Sequence, residues 1–170
     1  MDQLAVAASS RAWGTLFIHA CTRALTAPLE WALSDVLSEQ VSLDWSAQPI
    51  APAMVRAELD WSGADGSAAR MVSALRQLPH LRFEVTEHRL DGAERFSFTP
   101  TLGVFRADLD SLGNLLVGEQ RLRALSERLA AGVDVAAELD AWLGTAWDAE
   151  LEPFRVASDG ESVRWLHRVG

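Results

Sequence analysis

The sequence predicts an α+β protein with a ferredoxin-like βαββαβ core, in which two helices cover one face of an antiparallel sheet. Runs of alternating apolar and charged residues mark the strands, and stripes of apolar residues at helical spacing lie between them. The strand–helix–strand unit occurs twice, with 25 residues from Leu16 to Val41 and 26 from Val55 to Leu81. Together the two units have the order of a split βαβ fold.

The first unit occupies residues 15–45. Residues 15–20 are rich in β-branched and aromatic types, which favours a strand. Thr26 is suited to cap a helix, because Pro28 is tolerated in a first turn and the following apolar residues have helical spacing. Residues 41–45 alternate strictly, so we expect a second strand there with Val41, Leu43 and Trp45 facing inward.

The second unit occupies residues 55–86. Residues 55–61 alternate between apolar and charged, and the turn-forming residues 62–67 lead into a helix. The apolar stripe of that helix consists of Ala68, Met71, Val72, Leu75 and Leu78. Residues 81–86 alternate again. Charged residues therefore share one face of the predicted sheet, which we expect to be the wetter face.

The C-terminal half extends this core by a β-hairpin and two helices. The strands of the hairpin are expected at 102–107 and 115–117, around the turn residues 110–114. One helix should end near Gly132; Asp134 should cap the other, which Pro153 should end. Residues 163–166 suit a final short strand. We expect residues 1–12 to be a flexible arm and residues 13–170 to form a single domain.

Composition excludes several functional classes. The 170 residues carry a net charge of −9, which repels nucleic acid and anionic membranes, and no stretch is apolar enough to span a bilayer. Cys21 is the single cysteine, so no disulfide can form within the chain. The N-terminus lacks the positive charge of a signal peptide. These features predict a cytoplasmic protein that binds neither nucleic acid nor membranes.

Three possible ligand sites have simpler explanations. His19 and Cys21 are soft metal ligands, but zinc needs three or four, so we predict no metal and no cofactor. Residues 108–119 place acidic residues at some EF-hand positions, yet Leu112 occupies a ligand position and a hairpin turn explains the segment. The glycines at 63 and 66 precede a helix without the lysine of a P-loop, which favours a helix cap. Cys21 is also more simply a structural thiol than a nucleophile.

An acid–base site is the remaining catalytic hypothesis. Glu84 alternates away from the predicted core, and it would meet His19, Arg82 and Glu119 if the C-terminal segments fold over that face. A carboxylate in such a cleft would have a raised pKa and act as a general base. The arginines that would hold an anionic substrate or ligand are Arg82, Arg121 and Arg123. The alternative is a solvated sheet face with surface ion pairs.

Seven tryptophans accompany a complete absence of tyrosine. Four of them, Trp45, Trp61, Trp142 and Trp147, have the phase of core residues. Trp13, Trp31 and Trp165 are less obviously buried. Because tryptophan is enriched in interface hot spots, Trp31 and Trp165 are candidates for contact with a protein partner.

Segments spread over nearly the whole chain after Gly14 resemble a known family. They are IHA at 18–20, EWAL at 30–33, QP at 48–49, LRFEVTE at 81–87, VGE at 117–119, RLR at 121–123, LGTAWD at 143–148 and LEP at 151–153. The chain thereby resembles the actinobacterial family named domain of unknown function 3145. The resemblance implies a cytoplasmic protein of that lineage and implies no activity.

The sequence as a whole favours a non-enzymatic binding or regulatory domain for a protein partner or a small anionic ligand. The alternative is a small enzyme that performs acid–base chemistry on an anionic small molecule at the cleft of Glu84, Glu119, Arg121 and His19. Self-association through open sheet edges is compatible with both.

Overall fold

The computed structural model describes residues 11–90, 92–129 and 132–157, which form an α+β structure with a seven-stranded antiparallel sheet and five α-helices. The strands are β1 (Arg11–Thr22), β2 (Ser46–Ala47), β3 (Met54–Ala64), β4 (Arg82–Arg89), β5 (Gly92–Thr99), β6 (Gly103–Leu109) and β7 (Leu115–Leu116). The helices are α1 (Thr26–Leu37), α2 (Ser67–Leu75), α3 (Glu119–Leu129), α4 (Val135–Leu143) and α5 (Thr145–Val156). Across the sheet the order is β2-β3-β1-β4-β5-β6-β7.

The larger core lies between the sheet and helices α1 and α2. Its most deeply buried members are Leu16, Ile18, Phe83 and Val85 of the sheet and Leu29, Leu33, Met71 and Leu75 of the helices. Each such side chain contributes about 1.5–3 kcal/mol of hydrophobic stabilisation when it is fully buried. The alternation that predicted β3 and β4 arises because every second residue of these strands enters this core.

A smaller core lies on the opposite face of the sheet, under α5. It consists of Ala93, Phe105, Ala107 and Leu109, with Trp147 of α5 packed against them. The Trp147 ring lies 5.2 Å from the Phe105 ring, and its indole Nε1 donates a 2.9 Å hydrogen bond to the Gly103 carbonyl. Helix α5 therefore covers part of the face that the sequence predicted to be wetter. We call this the α5 face.

The prediction of a strand at 41–45 is wrong, although Val41 and Leu43 are buried as expected. Side chains of α1 occupy the backbone donors that a strand would use. Ser34 Oγ accepts from the Val41 amide, and Glu30 Oε1 accepts from the Leu43 amide and from Trp45 Nε1. Pairing with β3 is confined to Ser46 and Ala47.

The extension of the sheet is confirmed in outline, but two C-terminal helices were predicted and the structure has three. Gly144, in the left-handed conformation, separates α4 from α5. Pro153 lies inside α5 and does not end it, because packing of Leu151 and Arg155 against the sheet offsets the lost backbone hydrogen bond. Strand β1 begins at Arg11, two residues before the predicted domain start. Residues 1–10 of the predicted arm at 1–12, and the predicted strand at 163–166, lie outside the described residues.

The segment after β6 is a turn, as the sequence predicted. Asp110 Oδ1 accepts hydrogen bonds from the amides of Leu112 and Asn114, both at 2.8 Å. Its second oxygen accepts from the Asn114 side chain. These hydrogen bonds lower the pKa of Asp110. The carboxylate thus stabilises its own turn. No helix in the described part of the chain has the length and apolar character needed to cross a membrane.

The packing of Gly144 predicts a measurable effect of substitution. Its φ is 73°, and an added Cβ would lie 2.6 Å from the Phe105 ring. We expect Gly144→Ala to lower the free energy of unfolding by about 2–4 kcal/mol. About 1 kcal/mol of this arises from the left-handed backbone conformation, and the rest arises from overpacking against Phe105. Urea unfolding measures this. Gly113→Ala is the control, because Gly113 has φ of 85° and open space around it. Equal losses in both variants would contradict the packing argument.

Candidate functional site

A β-bulge in β1 places His19 and Cys21 on opposite faces of the sheet. From Ile18 to Cys21 the strand advances three residues, while its partner β3 advances two, from Ala57 to Val55. The extra residue changes which face the following side chains occupy. His19, directly after the core residue Ile18, lies on the α5 face by ordinary alternation, whereas the bulge turns Cys21 into the core under α1 and α2.

The carbonyl group exposed by this bulge has a dedicated partner. Gln48 Nε2 donates a 2.7 Å hydrogen bond to the His19 carbonyl oxygen. The Gln48 side chain is fully buried, and its own oxygen accepts from the Ile50 amide at 3.4 Å. A buried amide of this kind is tolerated because its polar atoms are paired. Gln48 therefore stabilises the backbone of the bulge at His19.

Glu84 of β4 is the centre of the cluster, with only 2% of its surface exposed. Oε1 accepts hydrogen bonds from Ser97 Oγ, at 3.0 Å, and from Arg155 Nη2. Oε2 accepts from Arg155 Nε at 2.9 Å and lies 2.8 Å from His19 Nε2. Because an ionised carboxylate can only accept, His19 Nε2 carries the hydrogen in this contact. Four donors thus converge on one buried carboxylate.

Arg155 reaches Glu84 from the last turn of α5 and is itself largely buried. Its Nη2 also donates to Asp148 at 2.9 Å, and Nη1 donates to Glu152 at 3.4 Å. Burial alone would lower the pKa of Arg155, but its contacts with Glu84 and Asp148 raise it. The guanidinium therefore joins two acidic residues of α5 to the carboxylate of β4.

The expectation of a raised pKa for Glu84 is wrong. Burial alone would raise it, but the hydrogen bonds and positive charges of His19 and Arg155 lower the pKa well below the ordinary 4.5. Both oxygens already accept two hydrogen bonds. The carboxylate remains ionised at neutral pH and has no free lone pair directed at a substrate, so it is unsuited to act as a general base.

Only part of the predicted cleft assembles. His19 and Glu84 meet, and Arg82 lies on the same face, with its guanidinium 4.9 Å from the Phe154 ring. Glu119 is exposed on α3, where it pairs with Arg123 at 2.6 Å. Arg121 is also exposed on α3. The structure therefore does not bring these three residues of α3 to the cluster.

The two tryptophans predicted to contact a partner differ in what the structure shows. Trp31 is 70% exposed on α1, and its role in binding a protein stays a prediction. Trp165 lies outside the described residues. Trp61 is buried as expected, whereas Trp45 is only partly buried.

Sequence reasoning missed Arg155, Ser97 and Gln48. Ser97 stands directly opposite Glu84 in the pairing of β4 with β5, so a correct strand register would have found it. Arg155 shares one helical face with Leu151 and Trp147, at spacings of four and eight residues. That spacing was available in the sequence, but the assumed helix end at Pro153 concealed it.

Three arginines on the α5 face bury their Nε atoms without a hydrogen-bond partner. They are Arg56 of β3, Arg82 of β4 and Arg95 of β5. Arg56 stands between Val55 and Ala57, which are buried in the core on the other face. Within the described ranges, none of these arginines forms an ion pair. A buried donor without a partner costs about 1–3 kcal/mol.

Two other candidate sites have structural roles. Burial raises the pKa of Cys21 to about 11, which keeps its thiol protonated and unreactive, and the bulge separates it from His19. The glycines before α2 do not offer a free anion site. Glu87 accepts hydrogen bonds from the amides of Gly66 and Ala68, at 2.9 and 2.8 Å, and so caps the helix.

The Glu84 cluster predicts a specific response to pH. A carboxyl group whose pKa is lower in the folded than in the unfolded state stabilises the fold at pH values above its unfolded-state pKa. This stabilisation is lost as the pH falls through the pKa of the folded state. We expect the free energy of unfolding to decrease as pH falls below the ordinary 4.5 of Glu84. Glu84→Gln should lower the free energy of unfolding by about 3–5 kcal/mol at pH 7, because Arg155 loses its buried partner. The same variant should also make the free energy of unfolding less dependent on pH in the acid range. Urea unfolding at several pH values measures both effects.

The matched control for this variant is Glu119→Gln, which removes an exposed ion pair with Arg123. It should change stability by less than about 0.5 kcal/mol and leave the acid dependence intact. Similar behaviour of the two variants would show that the Glu84 cluster does not govern acid stability.

Comparison with known proteins agrees with the resemblance noted in the sequence. Residues 15–168 match the family described as protein of unknown function (DUF3145). Neither a curated protein nor a solved structure gave a match. Since the match covers far more than half of the 170 residues, the chain belongs to the DUF3145 family.

Proposed function

We propose that this protein is a non-catalytic binding domain whose ligand is a small anion held by Arg56 and Arg82 on the α5 face. The observation that carries the proposal is the buried, unpartnered Nε of each arginine. An oxyanion would supply the missing acceptors, and the planar guanidinium is well suited to phosphate or carboxylate.

The two arginines flank the β1 bulge from opposite sides. Arg82 is paired with Ala20 on one side of β1. Arg56 stands on the other side, between residues that pair with Ile18 and Cys21. Their Cα atoms are therefore separated by two strand spacings, or about 10 Å. Long side chains that start at this separation and share one face can contact a single small anion above the bulge.

Among the residues that the structure describes, no acidic side chain forms an ion pair with Arg56 or Arg82. Glu84 lies nearby, but its four hydrogen bonds go to other donors. Glu58 shares the face with Arg56, yet burial and the charge of Asp60 raise its pKa, and the described residues contain no ion pair between Glu58 and Arg56. The arginines therefore retain their capacity for an external anion.

The overall charge limits the size of the ligand. A net charge of −9 repels an extended polyanion, whose many phosphates would face acidic surface beyond the two arginines. A small phosphate or carboxylate compound interacts mainly with the positive charges of the two arginines. A role in binding also agrees with the saturated Glu84, since the cluster offers no free general base.

The proposal also includes a ferredoxin-like core, a cytoplasmic location, an actinobacterial origin and a regulatory role. The order β2-β3-β1-β4, with α1 and α2 on one face, supports a ferredoxin-like core to which β5 to β7 are added. A single buried cysteine supports a reducing, cytoplasmic location. The actinobacterial origin and the regulatory role rest on the resemblance and on the absence of a catalytic constellation in the sequence.

Thermal unfolding with inorganic phosphate tests the anion site, with sodium chloride at equal ionic strength as the reference. At ten times the dissociation constant, a bound anion stabilises by about 1.4 kcal/mol, which raises the Tm by roughly 3–6 °C for a chain of this size. The Arg56→Met, Arg82→Met double variant should lose this response, while Arg76→Met should keep it. Arg76 is exposed at the end of α2 and serves as the matched control.

The same double variant distinguishes a binding site from a structural role. Methionine preserves the packed aliphatic stem and removes a buried donor, which offsets the loss of the Arg82–Phe154 contact of about 0.5–1 kcal/mol, so the variant should be about as stable as the wild type without phosphate. A loss of more than about 1 kcal/mol without phosphate would show that the arginines serve the fold. A phosphate response equal to that of the wild type, or to that of chloride, would contradict the proposed site. Acetate, tested in parallel, separates a carboxylate site from a phosphate site.

A further inference from the structure

Arg95 is the third arginine on the α5 face whose buried Nε has no hydrogen-bond partner, and the anion site proposed above does not include it. It lies on β5, directly opposite Thr86 of β4. Arg82 lies four residues from Thr86 along β4, a distance of about 13 Å. The hydrogen-bonded pair of Glu84 and Arg155 lies between these two positions. Arg95 therefore belongs to a separate part of the α5 face.

The acidic residues beside Arg95 are paired with other groups. Glu84, its diagonal neighbour on β4, accepts four hydrogen bonds from other donors. Glu94, the preceding residue, alternates to the opposite face and pairs with Arg89 and Arg106. Within the described ranges Arg95 itself forms no ion pair. An external oxyanion would supply the acceptor that its buried Nε lacks.

Two exposed aromatic rings lie close to this arginine. Trp13 of β1 alternates with the core residue Ala12 and so lies on the α5 face, where it pairs across the sheet with His88 of β4. The two rings are stacked, with their centroids 6.1 Å apart and their planes inclined by 22°. Although it is stacked, Trp13 keeps 47% of its surface exposed, and His88 is also exposed. Such a pair offers a surface on which another planar ring can stack.

The register of β4 and β5 brings the rings and the guanidinium within reach of one small molecule. His88 lies two residues from Thr86, so His88 and Arg95 are diagonal neighbours whose Cα atoms are about 7–8 Å apart. The residue directly opposite His88 on β5 is Ala93, whose methyl group is too short to separate the imidazole from Arg95. A ring stacked on the aromatic pair therefore directs a substituent toward the guanidinium.

We propose that Trp13, His88 and Arg95 form a second ligand site, which binds a planar aromatic acid. The ring of the ligand stacks on Trp13 and His88, and its carboxylate accepts hydrogen bonds from the Arg95 guanidinium. The hydroxyl of the partly buried Thr86, opposite Arg95, is placed to donate to the same carboxylate. This site shares no residue with the Arg56 and Arg82 site and does not depend on the function proposed above.

NMR titration of the wild type with benzoate tests this inference. The indole N–H signal of Trp13, assigned from the spectrum of Trp13→Phe, reports on this site alone. It should shift and saturate with dissociation in the millimolar range. Cyclohexanecarboxylate has the same charge and a similar size but no planar ring, so it should bind about three- to tenfold more weakly. An unchanged Trp13 signal overturns the site, and equal affinities of the two acids overturn the aromatic ligand.

Variants test the role of the arginine. Arg95→Met keeps the aliphatic stem and should weaken benzoate binding about tenfold or more, because the charge-assisted hydrogen bonds are lost. The matched control is Arg76→Met, exposed at the end of α2, which should bind benzoate as the wild type does.

The Arg56→Met, Arg82→Met double variant separates this site from the proposed anion site. It should also keep the benzoate response of Trp13, so that failure of the phosphate site and failure of this site are distinguishable. Wild-type affinity in Arg95→Met, or a loss in the double variant alone, would overturn the assignment to Arg95. Circular dichroism shows whether each variant is folded, and the comparison of the two acids on the wild type needs no variant.

Discussion

The ion pair between Glu84 and Arg155 is the interaction on which the α5 face depends. Removing both charges from water costs several kcal/mol per ion, and good geometry with further hydrogen bonds must offset that cost. Here Ser97, His19 and Asp148 supply these bonds. The pair joins the middle of the sheet to a helix 71 residues further along the chain. Without it, α5 would be held mainly by the Trp147 contacts and by Leu151.

Strand β4 connects the two sides of the protein through its alternation. Phe83 and Val85 enter the core under α1 and α2, and on that same face Glu87 caps α2. Glu84, on the other face, holds Arg155 of α5. A strand that contributes a buried carboxylate to each face fixes helices on both sides, and a one-residue shift in its register would exchange every one of these contacts. Glu84 and Glu87 are therefore structural, although the alternation of this strand first suggested a solvated face.

The elements that the sequence predicted correctly are those marked by a local periodicity of apolar residues. The alternation in β3 and β4 and the apolar stripe of α2 identified those elements, since burial repeats every two or 3.6 residues. Residues 41–45 alternate in the same way, but their amides bond to Ser34 and Glu30, which no local pattern reveals. The contact between Glu84 and His19 was predicted from the face of the sheet on which Glu84 was expected to lie. The contact of Arg155 could not be predicted in this way, because it depends on the position of α5. Long-range contacts of this kind depend on tertiary packing and not on period.

On the α5 face, the hydrogen bonding of Glu84 differs from that of the neighbouring arginines, and this difference distinguishes a structural residue from candidate binding residues. Glu84 has every hydrogen bond that a carboxylate can use, which is the pattern of a group selected for stability. Arg56 and Arg82 keep buried donors without acceptors, and such a cost persists in proteins mainly where binding requires it. The satisfied cluster joins the sheet to α5, whereas within the described ranges Arg56 and Arg82 form no ion pair, and Arg82 lies over the Phe154 ring. A rigid frame beside unsatisfied donors is the arrangement expected of a preorganised anion site.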